Sequence, residues 1–291
     1  MTDFLSTLIN GLSLGGVYAM IALGYTMVYG IAKMLNFAHG DIIMVGGYSL
    51  FVFSTDLNCD PALSVVFAVI MCAALGMAIE KFAYKPLRGA SPLAVLITAI
   101  GISYLLQSLA QIIFGTANKP VRLWDFGMLT IGSLKIKWST IFTLFIAVAV
   151  MIGLTLFVSK TRTGKAMLAV SEDKDAAQLM GINVDRTISL TFIIGSALAA
   201  LASMAYILIP VNVSVTMGAM PGIKAFTAAV IGGIGSIPGA MLGGILLGLI
   251  ENFCIATPIG SYTTAIEFAI LIVVLLVKPT GLIGKKKREK V

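Results

Sequence analysis

Long apolar runs separated by short polar interruptions fill almost the whole chain. Phe4 to Ile31 is apolar throughout and leads into the polar-punctuated stretch YGIAKMLNFAHGD, Tyr29 to Asp41. Ile42 to Ser54 is a shorter run. Ala62 to about Tyr84, Leu93 to about Phe114, Ser139 to Ser159 and Ile188 to Ile209 follow. From Lys224 the pattern turns glycine-rich. KAFTAAVIGGIGSIPGAMLGGILLGLIENF reads as a short span to about Gly233, a break at GIGSIPG and a longer helix from Ala240 to Phe253; Tyr262 to Val277 is the last run. Several runs exceed the ~18 apolar residues that mark a membrane-crossing helix. The pattern predicts an all-α polytopic membrane protein with about eight or nine transmembrane segments, some of them short or broken. Residues 116–138 are the longest non-helical stretch. Gly127, Gly132 and the alternation through Leu134, Ile136 and Trp138 predict a small extracytoplasmic β-hairpin there.

Composition fits this class. The chain has 291 residues, 58% hydrophobic and 11% charged, with mean hydropathy +1.01, whereas a soluble domain carries about a quarter charged residues. Residues 1–284 are expected to form one transmembrane domain, with a cytoplasmic loop at 160–187 and a basic cytoplasmic tail at 285–291. The first run lacks a basic leader and is too long for a signal core, so it is expected to be retained. The cysteines Cys59, Cys72 and Cys254 form no framework. The net charge of +7 loses its nucleic-acid flavour once the charges are placed. Lys33, Lys81, Lys85, Arg88, the five bases of the 160–187 loop and the six from Lys278 onward all fall on one side when the spans alternate; that side is the cytoplasm by the positive-inside rule. The N-terminus is then outside and the C-terminus cytoplasmic.

The polar interruption TRTGKAMLAVSEDKDAAQLMGINVDR carries Glu172, Asp173, Asp175 and Asp185 among its bases. Its second half is punctuated as a helix. Ser171 is placed to N-cap, Glu172 and Asp173 lie in the first turn, and Gly181 stands at a left-handed C-terminal cap with Ile182 after it. Ala176, Ala177, Leu179 and Met180 give small and apolar faces. A docking surface and a merely solvated helical loop both fit.

Several chemistries find no support. No phosphate-binding loop is spelled: Gly164-Lys165 is followed by Ala166 and lacks the upstream glycine. One histidine makes no zinc cluster, and no nucleophile–base–acid set is placed together. Neither an enzyme nor a cofactor-bearing chain is expected.

The remaining polar residues carry two readings each. Asn36, His39, Gly40 and Asp41 in NFAHGD could line a translocation path or gate it, or form a hydrogen-bonded turn between helices. Gln107 and Gln111, one turn apart, could face the path or bond across a helix interface. Glu251, Asn252 and Glu267 are expected at the solvated headgroup level. Gly235, Gly239 and Gly243, with Gly244 and Gly248 beside them, read as a tight packing stripe or as a broken helix beside a path. An ion-coupled secondary transporter uses similar devices, although no ionisable relay runs deep through several spans.

The segment GLSLGGVYAMIALGYTMVYGIAKMLNFAHGDIIMVGGY closely resembles the N-terminus of high-affinity branched-chain amino acid ABC transporter permeases, the H-type subunit. GKAMLAVSEDKDAAQLMGI resembles the cytoplasmic coupling segment of that family, and GGIGSIPGAMLGG also fits it. The resemblance implies a permease that works beside a second permease, usually a different M-type one. It further implies two cytoplasmic ATPase subunits that bind the ATP, and an extracytoplasmic binding protein that delivers leucine, isoleucine or valine. The family's relatives also carry urea, short amides and other amino acids. Carried onto this chain, coupling falls on Gly164, Glu172, Asp173, Ala176, Ala177 and Gly181. Lipid is the remaining partner, and no nucleic acid is expected.

Overall fold

Loop residues that can cap stand where the sequence passes from polar to apolar, and they set the helix starts. The computed structural model describes residues 2–124, 127–131, 134–209 and 211–284; the basic tail 285–291 and the hairpin tip at Gly132 lie outside the described residues. Helix α1 (Thr2–Ala32) is followed by α2 (His39–Phe51), which widens into a π turn over Val52–Asp56. Helix α3 (Pro61–Ile79) starts where Asp60 accepts from the Ala62 N–H, with Pro61 at a position needing no donor. It runs on through turns to Leu87. Helix α4 (Pro92–Phe114) is capped by Ser91, and Gly115 ends it at φ 78°.

Strands β1 (Lys119–Pro120), β2 (Met128–Ile131) and β3 (Leu134–Lys137) precede α5 (Trp138–Lys160), α6 (Arg162–Glu172), α7 (Lys174–Leu179) and α8 (Val184–Ile207). Strand β4 (Asn212–Val213) leads to α9 (Ala219–Gly232), α10 (Ile237–Ile255) and α11 (Thr263–Val277). The expected hairpin forms between β2 and β3, antiparallel, with Met128 opposite Lys137 and Ile131 opposite Leu134. A second pairing joins β1 to β4, with Lys119 opposite Val213.

Among the described residues, seven helices are long and apolar enough to cross a membrane: α1, α3, α4, α5, α8, α10 and α11. Helices α2 and α9 are the short segments that the chain pattern anticipated. The all-α polytopic architecture therefore holds.

Helix α1 is the axis of the bundle and packs against α5, α8, α9 and α10. Val17 and Ala19 through Leu23 are fully buried along it. Its closest neighbour is α10, and the glycine stripe makes that approach possible. A Cβ built on Gly248 would lie 2.2 Å from the Gly15 nitrogen, and one on Gly244 would lie 2.4 Å from the Ala19 Cα. Dispersion between closely packed backbones substitutes here for the hydrophobic effect that lipid removes. The α9–α10 break falls where the sequence placed it. Gly233 and Gly235 adopt φ of 112° and 93°, and the chain after α11 closes over the break, Leu282 and Ile283 donating to the carbonyls of Ile231 and Gly232. Helix α4 is the outlier. It leans mainly on α2 and turns Leu93, Ile97, Tyr104 and Ile112 outward.

Candidate functional site

Two places gather the polar residues singled out in the sequence. The first is the loop between α5 and α8. Thr161 caps α6 by accepting from the Gly164 N–H at 3.0 Å. Gly164 itself is buried, because a Cβ there would lie 2.4 Å from the Phe157 carbonyl oxygen; its lack of a side chain lets α6 fold back on the end of α5. The loop therefore holds two helices rather than one.

The cap of the second differs from the expected one. Asp173, not Ser171, opens α7, its carboxylate accepting from the N–H groups of Asp175 and Ala176 at 3.0 Å each. Glu172 ends α6 instead of starting α7, and the Ser171 hydroxyl donates back to the Leu168 carbonyl. Asp173 accepts better at this position because its carboxylate also meets the positive end of the helix dipole. The far end matches the sequence reading. Gly181 has φ 82°, Ile182 donates to the Ala177 carbonyl and Gly181 to that of Gln178, which closes a Schellman cap.

The capped helix is held against the membrane bundle by its inner face. Ala177 is 5% exposed. Lys174 donates from Nζ to the Ala32 carbonyl at the end of α1, 3.0 Å away. Burial, with Arg88 nearby, holds the Lys174 pKa below the ordinary lysine value. The outer face is free of such contacts: Leu179 is 90% and Met180 84% exposed, and Glu172, Asp173, Asp175 and Ala176 are exposed beside them. Of the six residues expected to carry coupling, Glu172, Asp173, Ala176 and Gly181 lie on the exposed side, whereas Gly164 and Ala177 face inward. Leu179 and Met180 were visible as an apolar face but were left off that set. Large apolar groups presented to water were the signal that would have put them on it.

Downstream, the loop is clamped to the turn after α3. Arg88 reaches both Glu80 and Asp185, Lys85 pairs with Asp185 at 3.0 Å, and Ser189 donates to Glu80 at 2.7 Å. Glu80 is 2% exposed, so this network is what neutralises a buried acid. An open polar groove lies beside it, lined by Lys85, Gln178, Asn183, Asp185 and Ser189.

The second place is the start of α2. Asn36 accepts from the Tyr84 hydroxyl at 2.9 Å, and its carbonyl accepts from the His39 N–H. His39 is 1% exposed, wedged on Gly24 of α1 and edge-on to Tyr25 at 4.6 Å between ring centres. Gly40 lets the N-terminus of α2 meet that of α9, since a Cβ there would lie 2.6 Å from the Gly218 carbonyl oxygen. NFAHGD is thus a hydrogen-bonded turn tying α1, α2, α3 and α9. Asp41, also buried, accepts from Gln107 at 2.8 Å, the polar tie between α2 and α4. Gln107 bonds across a helix interface, while Gln111, expected beside it, is exposed on α4.

The solvated position expected for Glu251 and Glu267 is overturned. Glu267 is 1% exposed, and Lys224 lies inside α9 at 7%. The side chain of Glu251 is 12% exposed. Lys224 is enclosed by α1, α10 and α11, Glu251 faces α1 and α9, and Glu267 faces α9; Asn252 is half-buried.

Comparison with known proteins places this architecture. Residues 7–275 match the family model described as branched-chain amino acid transport system, permease component. The high-affinity branched-chain amino acid transport system permease protein BraD of Pseudomonas aeruginosa is 43% identical, over 99% of this chain and 98% of that protein. The corresponding LivH of Escherichia coli is 41% identical over the same shares. The structure of PsaBC from Streptococcus pneumoniae in complex with Fab shares the fold, with a TM-score of 0.50 at 16% identity over 96% of this chain and 93% of that one. The chain belongs to the permease component family of the branched-chain amino acid transport systems.

Proposed function

We propose that this chain is the membrane-spanning permease subunit of an ATP-driven importer that carries leucine, isoleucine and valine across the bacterial inner membrane. The observation that carries the reading is the match, over 99% of the chain, to permease proteins of branched-chain amino acid transport systems. The partners are a second permease of the M type, two cytoplasmic ATPases that bind the nucleotide, and an extracytoplasmic binding protein. The chain itself takes no cofactor. Residues 160–187 and the tail face the cytoplasm, and the N-terminus faces out.

In this reading α7 is the element gripped by an ATPase. Its support is the division of its faces: Leu179 and Met180 outward, Ala177 and Lys174 inward. A partner that binds the outer face differently in its two nucleotide states shifts α7 between two positions. The shift reaches α5 through α6, α8 through the chain itself, α1 through Lys174, and the turn after α3 through Arg88 and Asp185. Those helices bound the path, so its open side changes. The apolar side chains of the substrate need few polar contacts along the way, and tight capture is left to the binding protein.

Reconstitution tests this. Vesicles holding both permeases, the ATPases and the binding protein are expected to accumulate leucine only with ATP. Accumulation by this chain alone, without nucleotide, would overturn the reading.

A further inference from the structure

Four polar side chains from four helices meet inside the bundle, and the proposed cycle uses none of them. Tyr18 on α1 donates from Oη to Glu251 Oε2 on α10 at 2.7 Å. Lys224 on α9 donates from Nζ to Glu251 Oε1 at 2.6 Å and lies 3.2 Å from Oε2 of Glu267 on α11. The Lys224 ammonium also stands over the Tyr18 ring, 5.9 Å from its centre. Tyr206 on α8 is the remaining titratable neighbour.

The charges of this cluster do not balance. Two carboxylates share one ammonium, and the tyrosines are neutral. A surplus negative charge among apolar helices is strongly disfavoured. A separate observation points to what is missing. Both oxygens of Glu267 are buried and neither has a hydrogen bond, although one ammonium, Lys224 Nζ, bridges the two acids at 2.6 Å from Glu251 Oε1 and 3.2 Å from Glu267 Oε2. Ionised carboxylates only accept, so two of them cannot bond to each other. A single proton turns one of the two acids bridged by Lys224 into a donor and removes the surplus charge at the same stroke.

We propose that Glu251 and Glu267 hold one proton between them, so that the two acids, Lys224 and Tyr18 form an electrically neutral proton-binding site within the membrane domain. The site anchors α11, of which Thr263 and Glu267 are the buried residues. With the proton bound, Glu267 is fixed to α9 and α10; without it, two like charges push α11 outward. The inference stands on the local geometry and does not depend on the substrate or the ATPase partner.

Infrared spectroscopy of the full chain in lipid nanodiscs tests it directly. At neutral pH the wild-type spectrum is expected to contain a carbonyl-stretch band of a protonated carboxyl group that shifts in D2O. The band is expected to lose intensity in Glu267→Gln and equally in Glu251→Gln, because either change leaves one carboxylate for one ammonium. It is expected to survive Lys33→Gln, which lies outside the cluster. A wild-type spectrum without the band, as a bound metal cation in the proton's place would give, overturns the proposal. So does a band that keeps its full intensity in either glutamine variant. If one variant fails to fold, the wild-type spectrum and the other variant still decide.

Discussion

Lys174 of α7 closes the end of α1 by donating to the Ala32 carbonyl, 3.0 Å away. The last carbonyls of a helix have no partner within it and carry its negative dipole, so an ammonium there is worth about 1 kcal/mol. Replacing Lys174 by Met keeps the apolar stem and removes the donor. Amide exchange across residues 173–181 is expected to rise about five-fold, the equivalent of about 1 kcal/mol of local opening. Exchange across α10 should not change. Equal protection of α7 in the variant and the wild type would show that Lys174 does not hold the helix down.

The exposed side of α7 calls for a different variant. Leu179→Asp with Met180→Asp changes side chains that are 90% and 84% exposed, so the permease's own stability should move by no more than about 0.5 kcal/mol. ATPase subunits are expected to stop co-purifying with it, and uptake to fall at least about ten-fold. Ala177→Asp is a poor substitute. At 5% exposure the new carboxylate would be buried without a partner, and α7 would melt whether or not it docks. Retention of the ATPase by the double variant would remove the docking face.

How far the sequence could be read depended on how local the cause was. The Gly181 cap is set by residues within one turn, and the left-handed glycine with Ile182 behind it was legible in the string of residues. The sequence places the N-cap at Ser171, and the fold of α6 moves it to Asp173: with α6 helical through Glu172, the change of direction falls on Asp173, φ −153°. Glu251 and Glu267 were misplaced because an acid near a helix end looks the same whether its face meets water or other helices. Pairing of Lys119–Pro120 with Asn212–Val213 joins loops far apart in the chain, and two-residue strands leave no periodicity to find.

Gln107 and Asp41 offer a double-variant test. Asp41 is 3% exposed and accepts from Gln107 at 2.8 Å. Gln107→Leu deprives a buried acid of this donor and should lower stability by about 1–3 kcal/mol. Asp41→Leu together with Gln107→Leu removes acceptor and donor alike and is expected to recover much of that loss, read as the unfolding midpoint in detergent. Additive losses would mean that the two side chains do not work as a pair. Stacking of Tyr48 on Phe114, 4.3 Å between ring centres, keeps α4 near α2 in both variants.

The approach of α1 to α10 leaves no room for a side chain at Gly248. At Gly248 a methyl group would lie 2.2 Å from the Gly15 nitrogen and 2.9 Å from the Gly11 carbonyl oxygen, both backbone atoms that cannot swing aside. Gly248→Ala must therefore separate the two helices, and overpacking of this kind is worth about 1–3 kcal/mol of stability. Gly101 on α4 is the control, since a methyl group there meets nothing within 4 Å. Gly248→Ala is expected to lower the unfolding midpoint in detergent and the yield of folded protein, while Gly101→Ala leaves both unchanged. Because the methyl group meets backbone atoms of Gly15 and Gly11, Gly15 cannot relieve the clash by further shrinking, and no second substitution on α1 at that position should rescue it. Equal midpoints for the two alanine variants would mean that the helices are held apart by more than the structure shows.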